Sequence, residues 1–149
     1  MPAPRWSFFP CAAVGGRVFV AGGHDDEKNT LWCAATYNAE ADAWAALPDM
    51  AREHDEARGI HAGTAFVALG GYPTEAQRQF AGSAEAFDPA TWSLGPVRER
   101  VIEDGVCPRT CCSAPGAESE TMYMLHDGHV MVGDTTDESG AWRTVARMP

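Results

Sequence analysis

With 149 residues, 45% of them hydrophobic, the chain has material for one modest packed domain, which excludes disorder as its default state. Its apolar fraction holds 25 alanines but five leucines, beside 15 glycines, 10 prolines and five tryptophans, a mixture poor in long amphipathic helices and suited to short strands joined by turns. A formal charge of -10 repels phosphate backbones and anionic headgroups, and neither a bilayer-length apolar run nor a signal-peptide layout is present; no nucleic acid or membrane partner is expected, and the location is expected to be cytoplasmic or nuclear.

The first unit, about residues 5–50, reads as a four-stranded meander. Its strands are expected at Phe8 to Val14, Arg17 to Ala21, Ala34 to Asn38 and Ala43 to Leu47, with Gly15-Gly16 as the first turn. The glycine pair Gly22-Gly23 ends the second strand, where a missing Cβ permits positive φ and a close backbone neighbour. An acidic loop, His24-Asp25-Asp26-Glu27-Lys28-Asn29-Thr30, follows.

The second unit, about residues 51–107, repeats this order at a spacing of about 50 residues. Val18 to Gly23 matches Ala65 to Gly71 with the glycine pairs in register, Tyr37-Asn38 matches Phe87-Asp88, and Trp44 matches Trp92 and then Trp142. Strands are expected at Arg58 to His61, Thr64 to Leu69, Ser83 to Asp88 and Thr91 to Leu94, with Asp88-Pro89-Ala90-Thr91 as a β-turn. The third unit, about residues 108–149, is degenerate. Pro108-Arg109-Thr110 opens it, and Met122 to Leu125, His129 to Val132 and Ala141 to Val145 are its later strands. Asp127-Gly128 is a tight turn, and no glycine pair or long loop is present.

An apolar strand ending in Gly-Gly, then a loop, an aromatic, a turn and a tryptophan, at this period, resembles the kelch motif. The resemblance implies an all-β, kelch-type β-propeller, here as three four-stranded antiparallel blades of a partial ring. Tyr37, Phe87, Trp44, Trp92 and Trp142 are then expected to wedge between blades as core aromatics. Because propellers close by going round, usually with more than three blades, the segment is expected to belong to a longer propeller or to pair with another chain.

The details go further. Pro4-Arg5, the run Val14 to Asn29 and Ala84-Glu85-Ala86-Phe87-Asp88-Pro89-Ala90-Thr91-Trp92 resemble plant F-box/kelch-repeat proteins, in particular the subgroup that targets phenylalanine ammonia-lyase. The resemblance implies a non-catalytic substrate adaptor of an SCF-type ubiquitin ligase that restrains phenylpropanoid synthesis. Its F-box, which docks onto the Skp1-cullin ligase, has no counterpart in these residues, so a ligase-independent interaction module or competitor is the alternative.

Function in such a scaffold sits on loops. His24, Asp25, Asp26, Trp32, Tyr72 and Arg78 are the candidate partner contacts, and a solvated loop explains each equally well. Lys28, the single lysine beside ten arginines, fits either codon bias or resistance to self-ubiquitination. No catalytic residue and no cofactor are expected. Plant specifier proteins, kelch propellers with an iron site resembling Glu-x3-Asp-x3-His, are matched only by Glu53-x3-Ala57-x3-His61, whose middle residue cannot bind metal. His24-Asp25-Asp26 lacks the spacing of a calcium loop. The five cysteines imply no disulfide framework and suit a reducing compartment, and Cys107-x3-Cys111, which lacks the second pair a zinc site needs, reads as buried small hydrophobes.

Overall fold

The computed structural model describes residues 6–114, 116, 119–137 and 139–149. Pro4-Arg5, expected at the entry to the first strand, lies outside them. Three four-stranded antiparallel sheets follow one another along the chain, each ordered as a simple meander. The first contains β1 (Cys11–Val14), β2 (Arg17–Ala21), β3 (Ala34–Asn38) and β4 (Ala43–Ala46). The second contains β5 (Arg58–Ala62), β6 (Ala65–Leu69), β7 (Ala84–Asp88) and β8 (Ser93–Leu94). The third contains β9 (Cys112–Ser113), β10 (Thr121–His126), β11 (His129–Asp134) and β12 (Arg143–Arg147).

Period-2 alternation decides which neighbour each side chain meets. In the second sheet, Phe66, Ala68 and Phe87 turn toward the first sheet and join Phe19, Ala21 and Leu47 in one core. Ile60, Val67, Leu69 and Ala84 turn the other way and join Met122 and Met124 of the third sheet in a second core, sealed by Val101 and Ile102 of the connecting segment. Phe19 stacks on Phe66 with ring centroids 5.5 Å apart and meets Phe87 at 5.8 Å. Those phenylalanines form the aromatic centre between the first two blades.

Several expectations are corrected. The first strand starts at Cys11 rather than Phe8, because Phe8 has φ of 55° and is exposed. Pro108-Arg109-Thr110 is a 3-10 turn, and the short β9 follows it as the first strand of the third sheet. The last strand is shifted two residues, to Arg143–Arg147.

The aromatic alignment is also off by two residues. Tyr37 pairs with Trp44 across β3 and β4, while Phe87 pairs with Leu94 across β7 and β8, so Leu94 is the counterpart of Trp44. Trp92 instead occupies the place of Asp42 in the turn, both with positive φ (53° and 47°). It is 41% exposed, lies at the edge of Phe87 and sits under the Arg17 guanidinium at 5.6 Å, outside the interblade core. Tyr37 and Trp44 are half-buried and pack on each other at 5.2 Å on the side of the first sheet facing away from the second. Phe87 and Trp142 do pack between blades: Trp142 lies against the second core, covers Gly133 and donates its indole N–H to the Val101 carbonyl at 2.8 Å.

Candidate partner-binding cleft

At one end of the first two blades, three irregular segments come together: the loop from β2 to β3, the linker from β4 to β5, and the loop from β6 to β7. The glycine pairs make this approach possible. Gly22 and Gly23 both have positive φ, and a Cβ would run into the His54 carbonyl from Gly22 and into the Ser7 carbonyl from Gly23. Gly23 N–H donates to that same His54 carbonyl at 2.7 Å, and Gly22 N–H donates to Cys33 at 2.9 Å. In the second blade Gly71 lies against the Asp55 carbonyl and Gly70 against the Pro108 ring. Each pair therefore lets a loop fold back onto the following linker.

Two buried side-chain pairs fix the linker. The Glu85 carboxylate, on β7, accepts the N–H groups of Ala51 at 2.7 Å and Arg52 at 3.0 Å, and lies 2.9 Å from His54 Nε2. His54 Nδ1 lies 2.7 Å from the Gly70 carbonyl, so both ring nitrogens face acceptors, an arrangement that two N–H donors satisfy. Burial pushes the Glu85 carboxyl up, but hydrogen bonds from His54, Ala51 and Arg52, with the His54 charge, bring it below its ordinary value. The second pair joins His24 Nδ1 to the Asp55 carboxylate at 2.9 and 3.0 Å, with Lys28 Nζ at 3.0 Å from the other ring nitrogen and Phe8 stacked on the imidazole.

Between these anchors lies a cleft of about 840 Å³. Its floor includes His54, Gly70, Gly71 and Ser83, and Ser83 Oγ is buried with no hydrogen-bond partner among the described residues. Across it, Thr30 donates to Glu53 Oε2, and Thr74 N–H reaches both Thr30 Oγ1 and Glu53 Oε2 at 2.9 Å, which ties the two loops to the linker. Trp32, 51% exposed, and Arg52 stand at the rim. Arg52 is paired with Glu99, its second contact being 3.2 Å.

The residues singled out in the sequence divide in two. Trp32 lines the cleft, and Asp26 and Arg78 are exposed on the flanking loops. Asp25 organises its own loop, accepting from Glu27 N, Asn29 N and the Asn29 amide; the Asn29 side chain above all holds its carboxyl below the ordinary value. His24 and Tyr72, expected as partner contacts, are buried anchors instead. Tyr72 packs edge-on to Phe80 and donates its hydroxyl to Glu56 at 2.9 Å; burial first, then that hydrogen bond, pushes its phenol well above the usual value.

His54, whose place in the inter-blade segment suggests a hydrogen-bonded structural histidine, is one, but its pairing with Glu85 and that of Asp55 with His24 escaped the sequence reading. The available signal was alternation, which puts Glu85 on the same face as buried Phe87. Glu53 is engaged by Thr30 and Thr74, while His61 N–H and carbonyl bond to Ser113 from β5. Among the described residues no three His, Cys, Asp or Glu side chains meet in a group able to hold a metal ion. Of the two cysteines expected to be buried, Cys111 is and Cys107 is half-buried; Cys33 is also half-buried, and Cys11 and Cys112 are exposed. Among the described residues no helix is long and apolar enough to cross a membrane.

Three successive four-stranded meanders, stacked face to face, the first two with a glycine pair closing the second strand, define blades of a kelch-type β-propeller. Comparison with known proteins agrees. Residues 5–51 match the family model described as Kelch motif. The chain is related over its full length to the Arabidopsis thaliana F-box/kelch-repeat proteins At1g80440 (42% identity, 41% of the relative covered) and At1g15670 (40% identity, 40% covered). SKIP20 of the same plant, also an F-box/kelch-repeat protein, is 43% identical over 79% of this chain and 29% of its own length. The chain thus spans about two fifths of the length of the first two relatives. The solved structure of YjhT superposes with a TM-score of 0.64 at 13% identity, over 95% of this chain and 52% of that one.

Proposed function

We propose that this kelch segment is a protein-binding scaffold, the substrate-recognition part of an SCF-type E3 ubiquitin ligase adaptor, and that it acts by binding rather than catalysis. The substrate proposed is phenylalanine ammonia-lyase, whose ubiquitination and degradation would restrain phenylpropanoid synthesis; Skp1 and the cullin would be engaged through an F-box outside these 149 residues. The observation that carries the binding role is the cleft of about 840 Å³, where a half-exposed tryptophan stands between two loops anchored by buried hydrogen-bonded side-chain pairs. Rigid loops lose little entropy on binding, and a rim tryptophan is a residue type that dominates interface energy. Relatedness to F-box/kelch-repeat proteins supports the ligase context.

Trp32, Asp25, Asp26 and Arg78 are the contacts assigned to this role. Co-precipitation of phenylalanine ammonia-lyase with the chain, compared between wild type and Trp32→Ala, tests it. Binding should weaken by at least about tenfold, as for a hot-spot side chain. Absence of binding to the wild-type chain would sink the named substrate, and retention of full binding by Trp32→Ala would remove the cleft as its site.

A further inference from the structure

In the cleft between the loops of the first two blades, the side-chain cations and donors are already committed while acceptors remain. His54 aims one ring nitrogen at Glu85 and the other at the Gly70 carbonyl, the Arg52 guanidinium is paired with Glu99, and the Asn29 amide donates to Asp25. Glu53 is placed differently. Its Oε2 accepts both the Thr30 hydroxyl and the Thr74 N–H, which fixes the carboxylate on the cleft wall, while its Oε1 has no partner among the described residues. Ser83, 2% exposed, lies on the floor with a hydroxyl that is also without a partner among the described residues. It directly precedes β7, and strand alternation puts it on the side of Glu85, toward the linker that carries Glu53 and His54. A buried hydroxyl is rarely left unpaired, so this one marks a place where a ligand completes the hydrogen bond. Glu53 and Glu75 line the cleft and the acidic turn Asp25-Asp26-Glu27 flanks it, so the field at the mouth is negative.

We infer that the cleft is an arginine pocket, taking a guanidinium of the partner protein that stacks on Trp32 and donates to Glu53 Oε1 and to the Ser83 hydroxyl oxygen. This rests on the reading of the cleft as the partner-binding site and adds the chemistry that it selects. A guanidinium carries a planar fork of N–H donors and no acceptor, which answers a site with acceptors to spare. Its weakly hydrated faces stack on indole, and Trp32 stands 51% exposed at the rim. An ammonium is a compact, strongly hydrated charge that gains less from the ring, and an acidic segment is repelled by Glu53 and Glu75. The walls come from loops and linker of the first two blades, and further blades of a ring stack on sheet faces rather than over these loop ends.

NMR titration of the isotope-labelled 149-residue chain with a blocked tripeptide, arginine between two alanines, tests it. Saturable shifts of the Trp32 indole N–H and of the Glu53 and Ser83 amides are expected. The citrulline tripeptide, which keeps the shape without the charge, should bind at least about tenfold more weakly, and the lysine tripeptide also more weakly. Glu53→Gln, whose amide oxygen still accepts from Thr30 and Thr74, should abolish most of the preference for arginine over citrulline. Trp32→Ala should weaken the arginine peptide about fivefold, the scale of a cation–π contact. Glu40→Gln, in the exposed turn at the opposite end of the first blade, should change nothing. The inference is overturned by absence of saturable shifts at millimolar arginine peptide, by equal binding of the citrulline or lysine peptide, or by equal losses in Glu40→Gln and Glu53→Gln, which would mean generic attraction to an acidic chain. Failure of the broader reading looks different. Capture of phenylalanine ammonia-lyase that depends on Trp32 but ignores Glu53→Gln, with no arginine-peptide binding, removes the arginine and keeps the cleft; arginine-peptide binding without capture removes only the named substrate.

Discussion

Glu85 on β7 holds His54 of the preceding linker at 2.9 Å, in a position where both side chains are almost wholly removed from solvent. The same carboxylate accepts the N–H groups of Ala51 and Arg52, so one side chain of the second blade fixes the chain leaving the first. Replacing Glu85 by Ala removes the acceptor shared by three donors, one of them the buried His54 ring. The expected loss is about 3 kcal/mol or more, the range for removing one member of a buried pair. Urea denaturation followed by tryptophan fluorescence measures it; a loss under about 1 kcal/mol, typical of an exposed ion pair, would contradict the burial of this site.

The same carboxylate makes stability depend on pH in a defined direction. Its folded value lies below its ordinary 4.5, so the unfolded chain takes up the proton first as pH falls. The contribution is fully present above the unfolded value and is lost as pH drops below 4.5 and on through the folded value. Between neutral pH and 3, wild type should therefore lose more in Tm than Glu85→Gln, whose amide does not titrate. Parallel Tm losses in the two proteins would show that other groups govern acid unfolding.

Much of the fold was legible because its signals are local and repeated. A glycine pair after an apolar strand marks a place where φ is positive and a neighbour's carbonyl occupies the space of a Cβ, and each pair lies where the repeat predicted. The third blade blurs this, because its β10 to β11 connection is a two-residue turn, Asp127-Gly128, that needs no such approach. The cleft was less legible. Its anchors join residues far apart in sequence, as His24 to Asp55 and His54 to Glu85, and a histidine or tyrosine in a polar loop gives no sign of which way it points. Loop composition therefore marked His24 and Tyr72 as outward contacts when both are buried.

Glycines in one chain should divide sharply by surroundings. Gly15 has φ of +56° but nothing within 4 Å of a Cβ, so Gly15→Ala meets only the left-handed backbone penalty, about 1–2 kcal/mol. Gly22→Ala adds a collision with the backbone of His54, which is pinned by Glu85 and cannot retreat without breaking that pair. Its cost should exceed that of Gly15→Ala by at least about 2 kcal/mol, in the range set by strain plus a lost buried contact. Equal Tm values for the two variants would mean that the linker yields freely.

Thiol reactivity should follow burial. Burial, reinforced by the neighbouring Cys112 and Cys107 thiols, pushes Cys111 up to about 12, with Arg58 opposing, so it stays protonated at pH 8 and is closed to reagent. Exposed Cys112, its immediate neighbour, should be alkylated in the native protein while Cys111 reacts only after denaturation. Peptide mass spectrometry after timed maleimide labelling separates the two, and labelling of Cys111 at the rate of Cys112 would contradict the packing of the second core.

The register of the second blade makes a prediction that sequence alignment alone would reverse. If Trp92 were the interblade aromatic, its truncation would be the severe one and would resemble the loss of any large core ring. The strand pairing puts Leu94 opposite Phe87 and leaves Trp92 in the turn, held by an edge contact to Phe87 and the Arg17 guanidinium. Trp92→Ala should therefore cost about 1 kcal/mol, the scale of an exposed cation–π contact. Phe87→Ala, removing a ring 3% exposed that packs on Phe19, should cost about 3–5 kcal/mol. Chemical denaturation of both variants decides between the two alignments, since the observed register requires Phe87→Ala to be the more damaging by a wide margin.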